Sequence, residues 1–314
     1  MDLSVVVVNW NVRELLRRCL HSVLHPSSEI ALEVIVVDNG STDGSVEMVR
    51  QEFPTVHLIA NSDNRGFPAA NNQGIAIARG RYILLLNPDT EVADDALARL
   101  LDFADANPDV GIVGPQLLYP DGRVQSSRRR FPTLTTAFFE STWLQPYAPR
   151  HLLERYYVSD QPDDVVQDVD WLCGAALMAR SQAIAQVGPM DEGFFMYSEE
   201  LDWCRRFKEA GWRVVYLPTA RIVHYEGRSS AQVLPARHIH FQTSKVRYFR
   251  KYHGHFAAEL LRLFLLGNYL WQTGVEGCKW LAGHKRPLRA QRIAVYWQVL
   301  CSGLRRQGAE HGNR

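Results

Sequence analysis

Between Leu3 and Val113 the chain alternates short aliphatic, β-branched runs with segments whose apolar residues recur at helical spacing. That alternation belongs to a mostly parallel sheet joined by crossover helices. It predicts strands over Ser4–Val8, Glu33–Val37, Val56–Ala60, Tyr82–Leu86 and Gly111–Val113, with helices over Arg13–Leu24, Ser45–Gln51, Gly66–Ala78 and Asp95–Ala106. Two polar segments, Asp38–Gly44 and Asn87-Pro88-Asp89, each follow a predicted strand. They fall at the carboxyl edge of the sheet, where open α/β sheets bind their ligands.

Beyond Val113 the pattern loosens. Residues 115–165 are irregular, rich in Pro and Arg, and read as an excursion from the sheet, either a lid or acceptor-facing loop or a surface helical hairpin. Strand character returns at Asp170–Ala179 and Arg213–Leu217, and Glu199–Gly211 reads as a helix ended by Gly211. From about Leu234 the chain is helical and basic, with Gly254, Gly267, Gly274, Gly277 and Gly283 as expected breaks. Phe256–Trp271 is the most apolar stretch, but Glu259 and Arg262 interrupt it. It falls short of the roughly 20 apolar residues of a spanning helix. Trp271, Trp280 and Trp297, interleaved with Lys279, Lys285, Arg286, Arg289 and Arg292, fit a helix lying on a membrane surface. Helices packed on the rest of the protein with a solvated basic face fit the same pattern.

Composition narrows the class. With 314 residues, 46% hydrophobic and 22% charged, the chain is neither disordered nor collagen-like. The net charge of +1 hides an asymmetry: 19 basic against 30 acidic residues through Ala220, then 16 against 4. The first part suits a cation, or an anionic ligand held through one; the second suits phosphates, an acidic partner or an anionic membrane. Five scattered cysteines without a CxxC pair give neither a disulfide framework nor a zinc ribbon. Met1 leads directly into a strand-like run with Asp2 and no basic segment, so the expectation is a cytoplasmic protein without a signal peptide.

Asp38, at the end of the second strand, resembles the acidic residue of a dinucleotide-binding fold. That fold needs a glycine-rich turn after the first strand, and Asn9-Trp10-Asn11 stands there instead. Phosphates would then be held through a metal. Asn87 and Asp89 fall on one face of an extended segment and could meet one divalent cation; a plain turn into the next helix explains the tripeptide equally well. Glu199, Glu200 and Asp202 crowd three carboxylates into four residues behind Phe194-Phe195-Met196-Tyr197. Such a partly dry wall raises a carboxyl toward the range of a general base. Ser198 could alternatively cap a helix whose dipole favours those anions. His224 lies beyond the Arg213–Leu217 strand, opening onto Glu226–Ser230, and is either structural or a metal ligand.

Val6–Asn11, Val36–Ser45, Asn64–Asn72, Leu84–Thr90 and Glu199–Asp202 occur in the order of the motif set of family 2 glycosyltransferases. Over about residues 3–250 the chain resembles the bacterial rhamnosyltransferase-like branch of that family. The resemblance implies a GT-A type nucleotide-diphosphosugar transferase fold, an α/β fold with a mostly parallel sheet flanked by helices and here a helical basic C-terminal extension. The domains would be 1–235, with a nucleotide-binding half over 1–114 and an acceptor and catalytic half over 115–235, then a helical region over 236–314. It further implies an inverting transfer from a nucleotide-diphosphate sugar, dTDP-rhamnose or a UDP-sugar, with Mg²⁺ or Mn²⁺, to a glycan or lipid-linked acceptor of the cell envelope at an anionic membrane surface.

By the same resemblance Asn9, Asp38, Asn64, Arg65 and Gly66 line the nucleotide pocket. Asn87-Pro88-Asp89 stands in the place of the family's Asp-x-Asp motif, departing from it at Asn87. Asp89 and His224 would hold the metal, and Gly174-Ala175, after Cys173, would let the donor sugar approach the backbone. Glu200 would be the base, with Glu199 or Asp202 orienting the acceptor. A non-catalytic membrane-binding scaffold would lack these groups, and a nucleotidyltransferase would carry a glycine-rich phosphate loop. Nucleic-acid binding has no helix-turn-helix, zinc-finger or RRM signature to support it.

Overall fold

The computed structural model describes residues 1–24, 30–225 and 234–305. In chain order the elements are β1 Leu3–Asn9, α1 Arg13–Leu24, β2 Leu32–Asp38, α2 Ser45–Glu52, β3 His57–Ala60, α3 Phe67–Ile77, β4 Tyr82–Leu86 and β5 Thr90–Val92. Then come α4 Ala96–Ala106, β6 Val110–Leu118, β7 Arg128–Arg129, α5 Leu134–Phe139, α6 Arg150–Tyr157, β8 Gln167–Asp168, β9 Trp171–Leu172, β10 Ala176–Arg180 and α7 Ser181–Val187. α8 Glu199–Glu209, β11 Arg213–His224, α9 Leu234–Leu281 and α10 Arg286–Ser302 complete the chain.

The first compact unit holds Met1–Phe131, Glu154–Phe195 and the chain from Glu199 onward through β11. Its main sheet runs β3-β2-β1-β4-β10-β6-β11-β5, with β8 on β11. The β3, β2, β1 and β4 strands are parallel, as are β6 and β11, while β10 runs antiparallel between β4 and β6. Helices cover both faces, so β1 is buried along its whole length. Val5 and Val7 join the side packed by Leu16, Leu20 and Leu97, while Val6 and Val8 join the side packed by Ala70, Trp203 and Phe207.

Three strand predictions are corrected by the backbone. Asp170–Ala179 is two strands, β9 and β10, separated by the Cys173–Ala175 turn. Gly111–Val113 is only the N-terminal part of β6, which runs on to Leu118. Arg213–Leu217 continues to His224 through a register shift between Leu217 and Arg221, where Pro218 withholds a ladder donor. His224 therefore stands on a strand end, opposite Thr90 of β5, a strand the sequence pattern did not single out. The Glu226–Ser230 loop lies outside the described residues.

The second compact unit gathers Pro132–Leu153, Met196–Ser198 and the C-terminal helices. Part of the 115–165 excursion thus shares a unit with α9, through an edge-on pair of Phe138 and Phe264 with ring centroids 4.7 Å apart. α9 contains one non-helical residue, Gly254 at φ 85°, and Gly283 at φ 81° precedes α10. Gly267, Gly274 and Gly277, expected as breaks, continue the helix. Arg289, counted above among the surface cations, is instead buried against Glu276 at 2.7 Å. Among the described residues no helix is long and apolar enough to cross a membrane.

Candidate functional site

The parallel register places Asn9 opposite Asp38 at the carboxyl ends of β1 and β2. Asp38 is buried; its Oδ2 accepts from Asn9 Nδ2 at 2.8 Å and its Oδ1 from the Ser41 backbone N–H at 2.8 Å. The bond to Asp38 fixes the Asn9 amide and leaves Asn9 Oδ1 buried without a partner among the described residues. That is an acceptor awaiting a donor. Asn39, next to Asp38, donates from Nδ2 to Asn64 Oδ1 at 3.0 Å and accepts the Arg65 backbone N–H at 3.2 Å. Gly66 closes this loop at φ 86°, and a Cβ there would stand 2.7 Å from the Phe195 carbonyl oxygen. Only glycine suits the position. Arg65 itself is half exposed, its guanidinium 3.8 Å from Asp63.

A second corner forms where β4, β5 and β11 meet. The Asn87 N–H donates to the Ala175 carbonyl at 2.9 Å, which ties the Asn87-Pro88-Asp89 turn to Gly174-Ala175. Tyr225 N–H donates to the Asp89 carbonyl at 2.9 Å, bringing the end of β11 to the same turn. His224 Nε2 lies 3.4 Å from Asp89 Oδ1, and both side chains are buried. On its other side His224 Nδ1 is 2.8 Å from Gln125 Oε1. A carbonyl oxygen can only accept, so Nδ1 donates to Gln125 and Nε2 is the ring nitrogen that faces Asp89. Nε2 has no hydrogen-bond partner among the described residues. Sequence reasoning missed Gln125: it sits in an irregular stretch, and only the fold brings it under the imidazole.

A buried imidazole nitrogen without a hydrogen-bond partner among the described residues, beside a buried carboxylate, fits a divalent cation, with Gln125 as the outer partner that orients the ring. Among the described residues no group of three or more His, Cys, Asp or Glu side chains converges on such a site. Two protein ligands leave most positions of an oxygen-loving cation to solvent and phosphate.

The third corner is the start of α8. Tyr197 and Ser198 both lie at positive φ, 69° and 65°. Ser198 thus departs from the extended conformation of an N-cap. Glu199 is buried, and among the described residues neither its Oε2 nor Glu200 Oε2 has a hydrogen-bond partner. Burial pushes the Glu199 carboxyl well above the usual carboxylate range, and the Glu200 charge adds to the rise. Burial raises Glu200 too, opposed by backbone N–H donors that include Gly174 and by the positive charge of Arg129. A Cβ on Gly174 would stand 3.5 Å from the Glu200 side chain, so the Gly174-Ala175 turn touches both the Asp89 corner and the carboxyl pair. Asp202 is different. It is fully buried and binds Arg206 Nε at 3.0 Å, while Arg206 also donates to the carbonyls of Val187 and Pro189.

The glycosyl transferase family 2 sequence profile matches residues 4–160. The N-acetylglucosaminyl-diphospho-decaprenol L-rhamnosyltransferase of Mycobacterium tuberculosis is 33% identical over 248 residues, covering 76% of this chain and 80% of its own. Rhamnosyltransferase WbbL of Escherichia coli is 30% identical over 180 residues, 51% of this chain and 61% of its own. Among solved structures, the mannosyltransferase PcManGT of Pyrobaculum calidifontis, in complex with GDP-Man and Mn²⁺, superposes with a TM-score of 0.57 at 17% identity. It covers 96% of this chain and 87% of its own. The α/β sheet with its flanking helices has the GT-A glycosyltransferase fold.

Proposed function

The chain belongs to glycosyl transferase family 2, and on that premise we propose that it is an inverting, metal-dependent sugar transferase whose donor is dTDP-rhamnose. A UDP-sugar is the alternative donor. The acceptor is a hydroxyl of a lipid-linked or cell-envelope glycan. The observation that carries this reading is the pair of buried carboxyls at Glu199 and Glu200, set against the same backbone turn that Asp89 and His224 adjoin.

In this reading Asn9 and Asp38 receive the nucleoside, with Asn9 Oδ1 available to a base N–H. Arg65 and the Asn64–Gly66 backbone face the diphosphate. Asp89 and His224 would hold a Mg²⁺ or Mn²⁺ ion, which neutralises charge on the departing diphosphate. Glu200, held by the Gly174 N–H, takes the proton of the acceptor hydroxyl as that oxygen attacks the anomeric carbon. The nucleoside diphosphate leaves from the opposite face. Glu199, deeper and more strongly raised, keeps its proton, so it can donate to the acceptor and spare Glu200 a second full charge alongside. Asp202 holds Arg206 and through it the loop before α8, which gives it a positioning role.

Sequence relatives named for rhamnosyl transfer favour the rhamnose donor. The test is transfer and thermal stabilisation by purified protein across dTDP-rhamnose, UDP-sugars and GDP-mannose, with and without Mn²⁺ or Mg²⁺. Stabilisation and turnover by one donor, lost with chelator, is the expected result; no donor turned over under any metal contradicts the reading. An anionic membrane surface is part of the proposal. Trp280 and Trp297 are exposed in the second unit, Arg286 lies over the Trp280 ring, and Lys279 and Arg292 are about half exposed. This is the mixture that binds acidic headgroups.

A further inference from the structure

Three glycines in the C-terminal half of α9 have no internal explanation. Gly267, Gly274 and Gly277 are helical, and among the described residues a Cβ on any of them would meet nothing within 4 Å. Each costs a helix about 1 kcal/mol relative to alanine. They share one stripe with Phe256, Leu260, Leu263, Leu270 and Leu281, all solvent-exposed, with Phe256 at 84% and Leu281 at 71%. Positions 256, 260, 263, 267, 270, 274, 277 and 281 step alternately by four and three, the spacing of a coiled-coil seam. The seam carries no charge.

We propose that this stripe is a homodimer seam in which α9 pairs antiparallel with α9 of a second copy. Antiparallel helices place each a position opposite a d position, and an isologous pair must do so identically in both directions. About a twofold axis between residues 268 and 269, Leu263 faces Gly274, Leu270 faces Gly267, Leu260 faces Gly277 and Phe256 faces Leu281. Every glycine receives a leucine, and the two bulkiest ends close on each other. A parallel pair would set glycine on glycine and leave gaps. A lipid surface would gain nothing from glycines, and the charged side chains that flank the seam in sequence are paired, Glu259 with Arg262 and Arg250 and Glu276 with Arg289. The exposed seam residues with Trp271 offer on the order of 600–700 Å² per copy, enough to reach the roughly 1,200 Å² of a specific interface. The seam runs roughly 38 Å.

Sedimentation velocity of the full chain tests this. A species of twice the 35.8 kDa chain mass is expected at micromolar concentration. Leu263→Glu and Leu270→Glu each yield monomer with the helical circular dichroism unchanged, because both side chains are exposed on the helix surface. Gly274→Leu and Leu263→Gly each weaken the dimer about tenfold or more, and the double variant recovers it because the swap rebuilds both layers. A monomer at all concentrations up to about 100 μM overturns the proposal. So does a dimer indifferent to the glutamates, a double variant that stays monomeric, or binding of the chain to neutral lipid vesicles that Leu263→Glu abolishes.

Discussion

At Glu199 and Glu200 two adjacent carboxyls share a site with little water, and one must stay protonated for the other to ionise at modest cost. The consequence is a dependence of stability on pH with a definite sign. The folded chain holds the Glu199 proton more tightly than the unfolded chain. Its favourable contribution is therefore complete below the ordinary carboxylate range and is lost as pH rises through the raised folded value. Glu199→Gln presents the neutral shape at every pH. It should match the wild type near pH 4 and exceed it by about 1–2 kcal/mol near pH 8, since a buried carboxylate with one oxygen unpartnered among the described residues costs on that order. Denaturant unfolding at the two pH values measures this. Equal differences at both would show that Glu199 is not the proton holder.

At the scale of elements, the aliphatic runs made the nucleotide half readable. β1, β2 and β4 are so uniformly buried that no polar residue interrupts their middles, and the observed bounds extend the predictions by a residue or so at most ends. The Arg13–Leu24 helix and the Tyr82–Leu86 strand fall where the periodicity puts them. What failed had a local cause. Gly174 and the turn around it broke a run that hydropathy reads as continuous, and Pro218 hid the second half of β11 because its bulge cannot be seen in a strand pattern. The site followed the same rule. Motif order singles out Asp38, Asp89 and Glu200 as candidates and the resemblance adds His224, but no motif points to Gln125, because its contact with His224 spans 99 residues. The helical glycines of α9 misled for another reason: glycine weakens a helix without stopping it when neighbouring turns are packed.

For the whole molecule, the opposition of charge along the chain becomes an opposition of tasks. Acidic residues cluster in the unit with the proposed transfer site, where a cation would let a diphosphate approach. The basic C-terminal helices lose Arg289 and Arg262 to internal pairs, with Glu276 and Glu259, leaving Lys285 and Arg286 exposed in the α10 region together with Arg292, which is about half exposed though 3.5 Å from Glu276. Each basic residue near an acidic leaflet contributes about 1 kcal/mol. Replacing these three by alanine should weaken binding to anionic vesicles about 100-fold at low salt, while neutral vesicles bind neither protein. Vesicle sedimentation reads the outcome, and equal binding to anionic and neutral vesicles would refute the membrane assignment.

The central claim is that a carboxyl at the start of α8 removes the acceptor proton during sugar transfer. Turnover of Glu200→Gln, measured beside the wild type with the donor and metal that support activity, tests it most directly. General-base removal predicts a fall in kcat of about 100-fold or more, with donor binding within a few fold of normal. Near-normal turnover in that variant would contradict the account.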